Sequence, residues 1–236
     1  MNITMTFTQN KTNFLKQLIF TLAFILIMAG GQASAQGMAE AHAIGDKDAP
    51  VEFMNFSSLS CPHCATFHVE VLPQIKKEYI DTGKARMVFV PMPLNSAALD
   101  GELIARCVPE DEYQDALDYL YENQARWALT GNHQDALLTQ AQMLGLSREQ
   151  ASECLDDTAM EEAVVNLARN HATRHVITST PTFIFEGNRV LKGVGNFDRY
   201  AEMIDYLYDQ KTSKPTIEEI RSGTKMDTED ETNEEN

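Results

Sequence analysis

Residues 61–64 read CPHC: Cys61, Pro62, His63 and Cys64. Two thiols at this spacing support three kinds of chemistry. A structural zinc site takes four N or S ligands, often as two separated pairs. Here the second pair is missing, because Cys107 and Cys154 stand singly in stretches that read as helix. Covalent haem attachment needs histidine directly after the second cysteine, and Ala65 occupies that position. The third chemistry is a redox pair that cycles between dithiol and disulfide. It requires an exposed thiol of lowered pKa and a second thiol within reach.

The flanking segments are those a redox pair needs. Val51–Phe56 (VEFMNF) reads as a strand with Val51, Phe53 and Phe56 buried, and a helix begins at the cysteines. Pro62 suits its first turn, where a missing N–H costs nothing. Apolar residues Ala65, Phe67, Val69, Leu72, Ile75 and Tyr79 carry the helix to about Ile80, and Pro73 is expected to kink it. Unpaired N–H groups at the helix start favour a thiolate on Cys61, and His63 can add positive charge or a hydrogen bond. Cys61 is therefore the expected accessible nucleophile, and Cys64, one turn further in, the more buried resolving thiol.

Downstream, Arg86–Pro91 reads as a second strand, and residues 95–177 as helix throughout. Helices are expected at Ala97–Cys107, Glu110–Leu129 and Asp135–Leu144. Ser147-x-x-Gln150 and Thr158-x-x-Glu161 look like capping boxes that start two more. Thr182–Phe185 and Arg189–Lys192 read as an antiparallel hairpin, followed by a helix over about Phe197–Tyr208. The fold class is therefore α/β, a small sheet with a block of helices inserted in its middle.

The ends of the chain differ in kind. Lys11 and Lys16, the apolar run Leu18–Met28 and the small residues Ala33-Ser34-Ala35 have the layout of a cleavable signal peptide over 1–35. The apolar run is short of the roughly 20 residues a bilayer span needs. An exported, periplasmic protein without stable membrane insertion is expected, in a compartment where disulfides persist. Removing residues 1–35 takes two lysines and no acids from a net charge of −16, leaving −18. That charge disfavours nucleic acid and anionic membrane as partners. Residues 215–236 hold eight acids and few apolar side chains, which reads as a solvating, disordered tail from about 212.

SLSCPHCATFH, LPQIKKEYIDTGK and TPTFIFEGNRVLKGVGNF together resemble the DsbA-type thiol–disulfide oxidoreductases of the thioredoxin superfamily, over nearly all of 46–210. The resemblance implies a thioredoxin-like fold with an inserted α-helical domain. On it, residues 36–49 are a short leader, 50–94 and 178–211 the two thioredoxin-like halves, and 95–177 the insertion. It implies a dithiol oxidase of exported proteins, with Cys61, Cys64, His63 and Pro62 at the catalytic centre. It implies no cofactor and no metal. Partners would be thiol-bearing unfolded or partly folded exported proteins, with a DsbB-type membrane protein as reoxidant. Thr180-Pro181 is implied to be a cis-proline pair that faces the disulfide and binds substrate backbone. An isomerase or reductase, or a non-catalytic peptide-binding module, are the alternatives. The short leader leaves no room for an N-terminal oligomerisation domain, so a monomer is expected.

Two positions depart from the family pattern. The buried acid usual six residues before the first cysteine is replaced by Asn55, which cannot ionise. Thr180 stands where the best-known oxidases carry valine, and threonine is common in isomerases. The even remainder of cysteines, Cys107 and Cys154, suggests a second, structural disulfide. His68, two turns after Cys61, is placed to line the region near the site but reads rather as a packing or surface residue, Trp127 as core, and His133, His171 and His175 as lacking metal-ligand spacing with partners.

Overall fold

The computed structural model describes residues 41–213. The expected signal peptide, the first five residues of the leader and nearly all of the acidic tail lie outside the described residues. A five-stranded sheet runs in the order β1-β3-β2-β4-β5. Its strands are β1 (His42–Ile44), β2 (Val51–Ser57), β3 (Ala85–Pro91), β4 (Thr182–Phe185) and β5 (Arg189–Lys192). β2 and β3 are parallel, and the other three pairings are antiparallel. Within the leader, His42–Ile44 pairs with Phe89–Met87 at the sheet edge, a strand that the sequence reading does not name. Three residues of mixed character carry no alternation long enough to be read as a strand.

Between β2 and β3 the chain forms α1 (Pro62–Thr66), a π-helical turn over Phe67–Val71, α2 (Leu72–Ile75) and a second π-helical turn over Lys76–Ile80. The irregularity expected at Pro73 is thus spread into wider turns on both sides of it. Proline has no N–H to give the helical ladder, and π-turns are a common way to absorb such a fault.

The block between β3 and β4 comprises α3 (Ser96–Ala105), a 3₁₀ turn (Glu110–Glu112), α4 (Tyr113–Glu122), α5 (Gln124–Trp127), α6 (His133–Met143), α7 (Arg148–Leu155) and α8 (Thr158–His175). The single helix expected over Glu110–Leu129 is broken at Asn123, whose side chain donates back to the Tyr119 carbonyl. Asparagine competes with the helical ladder in this way. Ser147 and Gln150 form a reciprocal capping box. Thr158 does not cap its helix; Asp157 does, accepting from the N–H groups of Ala159 and Met160. A carboxylate one residue earlier is an equally good N-cap. The closing helix α9 (Phe197–Thr212) extends about one turn beyond the expected end.

Three apolar clusters fix the site. One sheet face packs Phe53, Met87, Phe183 and Phe185 against Phe67, Ile75, Tyr200 and Ile204. The other face carries Phe56, Val90 and Ile184, with the rings of His171 and His175 against Phe56. The helical block forms its own core around Trp127, Leu117, Leu120 and Tyr121, and Leu59, Cys61 and Cys64 belong to it. The cysteines thus sit where the sheet's first loop is packed into the helical core.

Trp127 is fully buried and donates its indole N–H to the Leu120 carbonyl at 2.9 Å. The ring lies over Gly101, where an added Cβ would fall 2.5 Å from Cη2 of Trp127 and 3.2 Å from a Leu59 methyl. Exposed helical Gly→Ala changes gain up to about 1 kcal/mol, whereas overpacking costs about 1–3 kcal/mol. Gly101→Ala should therefore lower the melting temperature by several degrees, read by circular dichroism. A rise would show that the indole has room to move.

Candidate functional site

Cys61 occupies the N-cap of α1, with extended dihedrals (φ −90°, ψ 118°), and Pro62 takes the first helical position. An N-cap side chain is placed to accept from the N–H groups two and three residues on, here His63 and Cys64. The Cys61 sulfur stands at that position but makes no side-chain capping hydrogen bond. Its burial is nearly complete, at 8 % exposed, against 0 % for Cys64. Both thiols are free in this structure. The exposed flank of the motif is Pro62 and His63.

The two sulfurs are driven in opposite directions. The hydrogen bond from the Cys64 thiol lowers the Cys61 pKa most, with the Thr180 side chain and the N–H groups of Cys64 and His63 adding to it, down to about 5 from 9.0. Burial opposes this and is outweighed. For Cys64, burial pushes the pKa well up, and the neighbouring Cys61 raises it further. One sulfur is thus a thiolate at neutral pH and the other a thiol.

The turn that presents the pair is held from three sides. The Cys61 N–H donates to the Ser58 carbonyl at 3.0 Å, and the Ser58 N–H points to the Cys64 sulfur at 3.4 Å. The buried Gln124 amide, on α5, donates to the carbonyls of Leu59 (2.8 Å) and Cys61 (3.1 Å). On the far side, the Cys61 thiol meets the Thr180 carbonyl at 3.5 Å. The Thr180–Pro181 peptide bond is cis. The Pro181 carbonyl accepts from Gly193 N–H, and Thr182 Oγ1 donates to the Ser179 carbonyl, so the loop is tied to β5 and to itself.

Beneath Cys64 the usual acid position holds Asn55, fully buried, with Oδ1 accepting from the Ser57 hydroxyl at 2.5 Å. His68 is buried, so the packing reading holds and the surface one does not. Its ring stacks on Tyr121 with centroids 4.0 Å apart, and Nδ1 lies 3.4 Å from Asp118. Gln124, Tyr121 and Asp118 were not singled out as site residues. Their signal was available as polar atoms at helical spacing on an otherwise apolar face, but such positions are common and did not name a partner.

The remaining sequence candidates lie elsewhere. Cys107, just past α3, and Cys154 of α7 are joined in a disulfide with Cα atoms 6.2 Å apart. His133 bonds to Asp100 at 2.9 Å. His171 and His175 lie one turn apart on α8 with nearly parallel rings, a spacing that the sequence reading passed over. Among the described residues no cluster of three or more His, Cys, Asp or Glu side chains could hold a metal ion. No described helix is long and apolar enough to cross a membrane.

The asymmetry of the sulfurs has a direct readout. Iodoacetamide should modify reduced Cys61 with a rate that rises through a midpoint near pH 5 and then levels, while Cys64 stays unmodified at neutral pH. A midpoint near the ordinary thiol value would contradict the opposed shifts of the two sulfurs.

Residues 38–206 match the family model described as Thioredoxin. A Rickettsia bellii protein, provisionally described as a protein-disulfide oxidoreductase, is 28% identical over 152 residues, which are 64% of this chain and 56% of that one. This chain therefore spans little more than half the length of that relative. Disulfide bond formation protein D of Bacillus subtilis (strain 168) is 27% identical over 184 residues, 74% of this chain and 79% of that one. The crystal structure of Wolbachia pipientis alpha-DsbA1 superposes with a TM-score of 0.68 at 25% identity, covering 74% of this chain and 94% of that one. With a helix-opening CPHC and helices set between its two β segments, this chain belongs to the thioredoxin family and is of the DsbA type.

Proposed function

We propose that the protein is a thiol–disulfide oxidoreductase of exported proteins that works as a dithiol oxidase. The observation that carries this reading is the placing of Cys61 at the N-cap of α1, against the Thr180 carbonyl and beside the fully buried Cys64 thiol. In the oxidised protein, a substrate thiolate attacks the Cys61 sulfur. A substrate–Cys61 disulfide forms, the Cys61–Cys64 bond breaks, and its electron pair leaves on Cys64. A second substrate thiolate then attacks the substrate sulfur of the mixed disulfide and releases Cys61 as a thiolate. The substrate has lost two electrons and the Cys61–Cys64 pair has gained them. Thr180 and Pro181, beside Cys61, are the surface on which an extended substrate segment would lie. Pro62 and His63 are the exposed flank it would meet.

Linkage supports the direction. The folded pKa of Cys61 lies below its ordinary value, at about 5 against 9.0. Its ionisation therefore stabilises the reduced fold fully above 9.0 and is lost as pH falls through 5. The disulfide has no such ionisation, so at neutral pH the reduced form is favoured and the disulfide is a ready oxidant. The names of the Rickettsia and Bacillus relatives support the same class of chemistry. Export by a cleavable signal peptide to the periplasm, a monomeric state, and reoxidation by a DsbB-type membrane protein complete the proposal. The Cys107–Cys154 disulfide is assigned a structural role, as a clip across the helical block.

Thr180 favours a second reading, an isomerase that starts from the reduced state. Equilibration with glutathione buffers, combined with refolding of both reduced and scrambled ribonuclease, separates the two. An oxidase oxidises the reduced substrate and has an easily reduced Cys61–Cys64 bond. A very stable disulfide would sink that reading, and activity on scrambled substrate alone would favour the isomerase. The reduced protein should also gain thermal stability relative to reduced Cys61→Ser as pH rises above about 5, measured by calorimetry.

A further inference from the structure

The peptide unit between Cys61 and Pro62 has no N–H, since proline brings none. Its carbonyl therefore carries every hydrogen bond that can fix its orientation. That carbonyl accepts from the N–H groups of Cys64 at 3.0 Å and Ala65 at 3.1 Å, both within α1. These bonds move with the helix. A third donor comes from outside it, the Gln124 side-chain amide 3.1 Å away. The same nitrogen donates to the Leu59 carbonyl at 2.8 Å. Among the described residues no backbone N–H bonds to that second carbonyl. An amide nitrogen has two hydrogens, so one side chain spans Ser60 and ties down the carbonyl on each side of it.

Gln124 is itself firmly placed. It is 4 % exposed and opens α5 just after the break at Asn123. Its own carbonyl accepts from the Ala128 N–H at 2.8 Å, and at the end of the same turn the Trp127 indole is bonded to Leu120. The hold on the CPHC turn matters unequally in the two redox states. In the disulfide, the bond between the sulfurs fixes Cys61 to Cys64 whatever the carbonyls do. In the dithiol, which is the state of this structure, that link is gone. Cys61 then keeps its extended dihedrals through its N–H bond to Ser58 and the bonds to its carbonyl. Those same bonds keep its sulfur 3.5 Å from the Thr180 carbonyl.

We propose that Gln124 is a positioning residue for the exchange reaction: from the helical block it holds the Leu59 and Cys61 carbonyls, and so favours the reduced pair over the oxidised one. This rests on the thiol–disulfide exchange reading above. In the reaction it biases, the Cys61–Cys64 bond breaks as two substrate thiols join in a disulfide. The pair gains the two electrons that the substrate loses. One substrate proton passes to Cys64 and the other to solvent, which leaves Cys61 as a thiolate. Gln124 touches neither sulfur and exchanges no proton. It acts through the backbone of the residue that reacts, and it makes the inserted helices part of the redox balance.

The test is the equilibrium of the Cys61–Cys64 pair with glutathione, read by acid quench and mass spectrometry. Gln124→Met keeps the side-chain length and removes both hydrogens. It should shift the equilibrium toward the disulfide by about three- to tenfold, the net worth of a hydrogen bond. The Cys61 alkylation midpoint should rise with it, and the variant should lose more thermal stability when reduced than when oxidised. Tyr119→Phe removes a 2.8 Å bond to Gln140 in the same helical block and should move neither the equilibrium nor the midpoint. If Gln124→Met does not fold, Gln124→Glu, which sets a carboxylate in place of the amide, carries the same expectation. An unshifted equilibrium in a folded Gln124 variant, or equal stability losses in both redox states, would make the amide a structural tie alone and overturn the proposal. So would an equal shift in Tyr119→Phe, which would trace the effect to general loosening of the block. A wild-type protein that does not exchange with glutathione at all would overturn the function reading as well, whereas normal wild-type exchange beside an unshifted variant overturns this inference alone.

Discussion

A helix begins with N–H groups that have no carbonyl partner within the helix, and at Pro62 the side chain placed to meet them is the Cys61 sulfur. That constraint organises the surrounding structure. At this N-cap Cys61 keeps extended dihedrals while Pro62 enters the helix, so the turn before it has to be fixed independently. The Cys61 N–H to Ser58 bond does this within the loop, and the Gln124 amide does it from the helical block. The loop ending in cis Pro181 closes the opposite side at Thr180.

The helical block therefore does more than cover the sheet. Its core includes Leu59, Cys61 and Cys64. The burial that raises Cys64 comes from the same packing as the burial of Trp127, Leu117 and Leu120. Stability of the block and reactivity of the pair are two readings of one packed volume. A change in helix packing, as at Gly101, would be felt at the sulfurs through Leu59.

How far the sequence foretold this depends on the range of the forces involved. The strand, the helix-opening pair and the hairpin were legible because period-2 and period-3.6 patterns and a proline at the first helical position are local. The capping box at Ser147 was local as well, while Asp157 displaced Thr158 because two good caps stood side by side. β1 was missed because its pairing partner lies more than forty residues away and the strand has only three residues. At the site, Cys61, Cys64 and the Thr180–Pro181 pair were named from motif and resemblance. Gln124 and Tyr121 were not, since what they touch, the Leu59 and Cys61 carbonyls and the His68 ring, lies in segments distant along the chain. His68 was read as ordinary, and its burial against Tyr121 is a tertiary fact.

Asn55 carries a consequence for the economy of the fold. It lies at the centre of the sheet, paired opposite Phe89 on β3 and Phe183 on β4, and is fully buried. A carboxylic acid at that point would have to be held neutral, or its charge desolvated, at a cost of several kcal/mol. An amide has no such pH-dependent penalty. The buried positions of the sheet's central strand thus carry no ionisable side chain, its one acid, Glu52, being exposed, and acidification of the surroundings changes the reactive sulfur without charging or discharging the buried scaffold that carries it.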